Sequence, residues 1–122
     1  MPRVLVIDDD EQVRALLYEI LDRAGFEVIE ATNGGEALQL YRTRPTDLVI
    51  TDLIMPEKEG VETILELRRE FPQARVIAIS GGGRNNPRDY LPIARQLGAR
   101  HTLAKPFSRQ EILDAVRDTL AA

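Results

Sequence analysis

The chain has 122 residues, no cysteine and no tryptophan, and a formal net charge of −4 from 16 basic and 20 acidic side chains. Residues 1–122 read as one domain, large enough to bury about two thirds of its unfolded surface without disulfides or a structural metal. The missing cysteines exclude thiolate chemistry and fit a reducing cytoplasm, and the interspersed charge argues against direct nucleic-acid binding or a polybasic membrane patch.

No apolar run approaches a membrane span, and the first strand begins without a signal peptide before it. Val4 to Ile7 is continuously apolar, the pattern of a strand buried on both faces, and it ends in Asp8, Asp9 and Asp10. Asp10 reads as the N-cap of a helix that turns Val13, Leu16, Leu17, Ile20, Leu21 and Ala24 inward and stops at Gly25. Phe26 to Ala31 alternates apolar and polar residues, as an edge strand does. Asn33 caps a second helix, which Arg44-Pro45 ends because the residue before proline disfavours helix.

Leu48, Val49 and Ile50 form another doubly buried strand, closed by Asp52 and followed by Leu53-Ile54-Met55-Pro56. A helix from Gly60 to Phe71 presents Val61, Ile64, Leu65 and Phe71 to the core and closes at Pro72. Val76 to Ile79 make the fourth strand, ending in Ser80 and three glycines. Asn86-Pro87 opens a further helix that Pro92 interrupts or delays. Arg100 to Ala104 is the least apolar strand, followed by Lys105-Pro106-Phe107. Ser108 and Glu111 then form a capping box for a last helix carrying Ile112, Leu113, Val116 and Leu120 inward.

Five strands alternating with five helices predict an α/β fold: a doubly wound five-stranded parallel sheet covered on both faces, flavodoxin-like. The apolar first, third and fourth strands belong at the centre and the mixed second and fifth at the edges, which selects the order 2-1-3-4-5. Ligands of such sheets bind beyond the carboxyl ends of the strands. Asp8, Asp9, Asp52, Ser80 and Lys105 all fall at those ends. Three carboxylates in one pocket repel strongly, and a divalent cation relieves the conflict. With oxygen ligands only, the hard ion Mg²⁺ fits, while Lys105 and Ser80 suit phosphoryl oxygens.

Ile-Asp-Asp-Asp at 7–10, Asp-Leu-Val-Ile-Thr-Asp-Leu-Ile-Met-Pro at 47–56, Ser80, and Gly98-Ala99 followed by Leu-Ala-Lys-Pro-Phe at 103–107 resemble the receiver domain of two-component response regulators. The resemblance covers nearly the whole chain. It implies that Asp52 accepts a phosphoryl group from a sensor histidine kinase or phosphotransfer protein and that the changed surface then acts on a downstream protein partner or effector domain. It further implies Mg²⁺ held by Asp9, Asp52 and the Ile54 backbone carbonyl, with Asp8 acting through a bound water. Lys105 and Ser80 would contact the phosphoryl oxygens. No metabolic activity is implied beyond self-catalysed phosphorylation and dephosphorylation.

Two other readings compete: a pseudo-receiver that binds partners without phosphorylation, and a phosphatase with an aspartyl nucleophile. The intact acidic set speaks against the first. The second wants an aspartate two residues after the nucleophile, where this chain has Ile54. A phosphate-binding loop at Gly81 to Gly83 is discounted for lack of the Gly-x-x-x-x-Gly-Lys spacing. His101 is read as an edge-strand residue rather than a ligand, and Arg68-Arg69-Glu70, Glu111 and Asp118 as solvated helix faces.

The family's aromatic residue three positions before the lysine is replaced by Thr102, so coupling to the surface is expected to pass through Tyr90 or the fourth helix. Residues 81 to 92 are expected to become ordered on phosphorylation. Ile54 and Gly82 occupy the two positions that tune phosphate lifetime and cannot orient an attacking water, which predicts slow self-dephosphorylation.

Overall fold

The computed structural model describes residues 2–53, 60–80, 95–96 and 98–121. Five strands, β1 (Arg3–Ile7), β2 (Glu27–Ala31), β3 (Leu48–Asp52), β4 (Val76–Ser80) and β5 (His101–Ala104), form one parallel sheet in the order 2-1-3-4-5. Four helices stand among the described residues: α1 (Glu11–Arg23), α2 (Gly34–Thr43), α3 (Gly60–Glu70) and α4 (Arg109–Ala121). The expected helix opening at Asn86-Pro87, its break at Pro92, and the switch over 81 to 92 lie outside the described residues.

Sheet order follows burial. Every residue of β3 and β4 is buried, whereas β2 is mixed and β5 half-buried throughout. An apolar strand at an edge would leave one flank in water, so the uniformly apolar strands lie inside.

Alternation along the strands divides the core in two. Leu5, Ile7, Val49, Val76 and Ala78 pack with Leu38 and Tyr41 of α2 and Ile64 and Leu67 of α3. Val4, Val6, Leu48, Ile50, Ile77 and Ile79 pack with Leu17, Ile20 and Leu21 of α1 and Ile112 and Val116 of α4. Burying each large aliphatic side chain contributes about 1.5–3 kcal/mol relative to exposure. The Tyr41 and Phe71 rings meet edge-on at 4.8 Å, tying the end of α3 to α2.

The helix caps follow the sequence. The Asp10 carboxylate accepts from Gln12 N and Val13 N, and Asn33 Oδ1 accepts from Glu36 N. Ser108 and Glu111 exchange the two bonds of a capping box at 3.1 Å each. Gly25 adopts φ +93 just past α1, a conformation that glycine reaches without a Cβ penalty.

Two leucines expected inside are outside: Leu16 is 46% exposed and Leu65 43%. Each lies at the margin of its helix's apolar stripe, and the buried stripes run through Leu17, Ile20 and Leu21 and through Gly60, Thr63, Ile64 and Leu67. Arg68 is more than a solvated charge: its guanidinium donates to the Ala74 carbonyl at 2.8 Å. Its neighbour Glu70 pairs with Arg42 of α2 at 2.7 Å.

Candidate functional site

Side-chain parity selects which strand-end residues meet. Asp8 stands two residues beyond Val6, Asp52 two beyond Ile50, and Lys105 two beyond Leu103. Val6, Ile50 and Leu103 all face the α1–α4 side of the sheet. Period-two alternation carries Asp8, Asp52 and Lys105 to that same side.

Contacts agree with the parity. Lys105 Nζ donates to Asp8 Oδ2 at 3.2 Å and to Asp52 Oδ2 at 3.3 Å. Asp8, Asp9 and Asp52 each bring a carboxylate oxygen within 4.8 Å of the others. Asp8 is 1% exposed and Asp52 5%, while Asp9 is exposed. Asp8 Oδ1 also accepts from Asp10 N at 2.9 Å.

Burial pushes the Asp8 carboxyl above its ordinary pKa, and the Asp9 charge adds to the rise, against the Asp10 amide and the Lys105 ammonium. Burial works to lower the Lys105 pKa, but the charges of Asp52 and Asp8 and their hydrogen bonds outweigh it, so the ammonium titrates above its ordinary value. Both shifts go upward for different reasons: burial dominates at Asp8, whereas two anions share the one ammonium of Lys105.

Ser80 sits at the end of β4, one register step past Ile79, the partner of Asp52. It has the parity of Val76 and Ala78, opposite to that of Asp52. Its hydroxyl is fully buried and has no hydrogen-bond partner among the described residues, a state that costs about 1–3 kcal/mol. The backbone nonetheless ties it to the site, because Lys105 N donates to Ser80 O at 2.8 Å. Four of the expected residues therefore cluster, and Ser80 lies at the rim with an unengaged donor. Ile54, whose carbonyl was expected to complete a metal site, lies outside the described residues, as do Gly82 and Tyr90. Thr102 is half-buried in β5 opposite Ala78. His101 Nε2 lies 3.9 Å from the exposed Asp118, away from the acidic cluster.

The donor set fits Mg²⁺. At Mg–O distances of about 2.1 Å, two oxygens on opposite sides of an octahedron stand about 4.2 Å apart and adjacent ones about 3 Å. Three carboxylates spread over 4.8 Å match that span if one of them acts through water. The pocket carries three acids against one ammonium, so a divalent ion would bring it to neutrality.

Three residues that frame the site were not singled out from the sequence. Thr51 Oγ1 donates to the Asp52 carbonyl at 2.9 Å from a buried position. Gly60 begins α3 against the backbone of Asp52 and Leu53, and its N–H donates to Leu53 O at 2.9 Å. A Cβ on residue 60 would fall 2.5 Å from Leu53 Cα, so only glycine fits. Arg14 Nη1 donates to the Asp8 carbonyl at 2.7 Å. The signal for Arg14 was present in its spacing: four residues into the helix after Asp10, its side chain leans back over the strand end.

A family model for the response regulator receiver domain matches residues 4–117. The chain is 36% identical over 119 residues to the chemotaxis protein CheY of Bacillus subtilis, spanning 97% of each protein. It is 32% identical over 118 residues to the sporulation initiation phosphotransferase F of the same organism, spanning 97% of this chain and 93% of that one. A crystal structure of a response regulator receiver domain protein from Clostridium thermocellum matches with a TM-score of 0.90 at 28% identity, over 99% of this chain and 95% of the other.

Proposed function

Since this chain belongs to the response regulator receiver family, we propose that it is a phosphoacceptor switch in which Asp52 takes a phosphoryl group from a phosphohistidine. The observation that carries the reading is a nearly buried Asp52 whose carboxylate shares Lys105 with Asp8 inside a three-acid cluster. A buried, partly compensated anion at a sheet's ligand-binding rim is costly for stability and useful for chemistry.

In the transfer, an Asp52 Oδ–phosphorus bond forms as the histidine nitrogen–phosphorus bond breaks, and the imidazole recovers a proton. Little covalent help is needed, because phosphoryl transfer depends on positioning and charge neutralisation. Lys105 stands within 3.3 Å of Asp52 and would pair with a phosphoryl oxygen. The Ser80 hydroxyl, without a partner before transfer, would gain one in the phosphoryl group. Asp8, Asp9 and Asp52 would hold Mg²⁺, with the Ile54 carbonyl joining them by family resemblance. When bound, the ion would neutralise charge on the transferring phosphoryl oxygens.

The donor is a sensor histidine kinase or phosphotransfer protein of the cytoplasm, and the recipient of the signal is a protein partner or effector domain. Added phosphate brings about −1.5 to −2 of charge, enough to bias a two-state surface. Incubation with acetyl phosphate and Mg²⁺ is expected to add about 80 Da, the mass of one PO₃ group. The adduct should vanish in Asp52→Ala and in EDTA. Absence of the adduct in the parent would favour the pseudo-receiver reading instead.

A further inference from the structure

Asp9 is the exposed member of the acidic cluster, and among the described residues no side chain holds its carboxylate. The reach of that carboxylate is therefore limited by where its backbone stands. The peptide joining Asp8 to Asp9 is planar, so whatever fixes the Asp8 carbonyl also fixes where Asp9 N and Cα stand at the strand end.

Arg14 fixes it. Its Nη1 donates to Asp8 O at 2.7 Å, a short charge-assisted bond from a side chain that is 15% exposed. On the other side of the same residue, Asp8 N donates to Ala31 O at 3.2 Å, extending the β1–β2 ladder. Asp8 is thus held at both its amide and its carbonyl. The guanidinium is braced in turn by Glu30 of β2, whose Oε1 lies 3.5 Å from Arg14 Nε. The helix end is set by Asp10, whose carbonyl accepts from Arg14 N at 3.0 Å.

A bland alternative is that Arg14 merely staples α1 to β2 through Glu30. That ion pair is the longer of its two contacts, and Glu30 is 42% exposed, where such pairs contribute little. The shorter bond goes to the acidic strand end.

We propose that Arg14 is a positioning residue for divalent-cation capture, acting through the Asp8–Asp9 peptide to aim the Asp9 carboxylate into the cluster. This rests on the phosphoacceptor reading above. A defect in aiming one ligand weakens metal binding without altering the reacting groups, so it should be overcome by excess metal.

The test is a Mg²⁺ titration of the parent, Arg14→Gln, Arg14→Lys and Glu30→Gln, by calorimetry and by the Mg²⁺ dependence of acetyl phosphate labelling. Arg14→Gln is expected to need about tenfold more Mg²⁺ for half-saturation, in the range seen when a ligand's supporting partner is lost. Its labelling rate at saturating Mg²⁺ should stay within about twofold of the parent, Arg14→Lys should recover most of the affinity, and Glu30→Gln should lose little.

A folded Arg14→Gln variant with parental Mg²⁺ affinity overturns the proposal. So does a loss that saturating Mg²⁺ fails to restore, or one that Glu30→Gln reproduces in full. If Arg14→Gln does not fold, the ¹⁵N-labelled parent decides: the Asp9 amide and Arg14 Nε signals should shift on Mg²⁺ addition with one midpoint, and an Arg14 signal indifferent to Mg²⁺ refutes it. A parent that binds no Mg²⁺ at all sinks the phosphoacceptor reading itself.

Discussion

Removing the charge of Asp52 should stabilise the metal-free protein. The Asp52 carboxylate lies within 4.8 Å of both Asp8 and Asp9. At an effective dielectric of about 20, each repulsion is at least about 3.5 kcal/mol. Lys105, at 3.3 Å, attracts the same carboxylate by about 5 kcal/mol on the same scale. Among these four charges alone, that of Asp52 is unfavourable by about 2 kcal/mol before its burial at 5% exposure is counted. Asn keeps the shape and an acceptor for Lys105, so Asp52→Asn in EDTA should be more stable by about 1–2 kcal/mol.

The chain has no tryptophan, so urea unfolding followed by far-ultraviolet circular dichroism is the suitable assay. Mg²⁺ should reverse the order, because a ligand at a hundred times its dissociation constant adds about 2.7 kcal/mol to the parent alone. An Asp52→Asn variant less stable than the parent in EDTA would refute the account of a strained acidic cluster. Equal stabilisation of both by Mg²⁺ would refute the metal site.

Gly60→Ala should cost about 1–3 kcal/mol or more, since the new Cβ would collide with the Asp52 carbonyl and Leu53 Cα, and labelling of Asp52 should slow with it; thermal unfolding and acetyl phosphate labelling measure both. Asp8 has a raised pKa when folded, so the native state binds that proton more tightly than the unfolded chain does. In EDTA its contribution is fully present below the ordinary value of 3.8 and is lost as pH rises through the raised value, so the parent should lose stability relative to Asp8→Asn over that window. Urea titrations of the pair at several pH values check this, and a gap that moves the other way contradicts it. Once phosphorylated, the protein should dephosphorylate slowly, because neither Ile54 nor Gly82 can hold an attacking water. A half-life of seconds after removal of the donor would be inconsistent with that reasoning.

The sequence by itself determined the sheet order, both helix N-caps, the capping box and the strand ends where the acidic residues stand. These follow from short-range rules: apolar runs bury both faces of a strand, and capping chemistry is local. It placed Leu16 and Leu65 inside because a stripe read from spacing has uncertain edges, and only the packed neighbours settle which margin is covered. The sequence placed Ser80 at the same strand-end rim as Asp8, Asp52 and Lys105, and the folded chain ties it there through the bond from Lys105 N to Ser80 O at 2.8 Å. Arg14, Thr51 and Gly60 escaped notice because each acts on the backbone of Asp8, Asp52 or Leu53. A contact with a carbonyl or an α-carbon leaves no complementary side chain to find, so spacing could bring Arg14 over the strand end but only the folded arrangement of α1 and α3 shows which backbone groups are met.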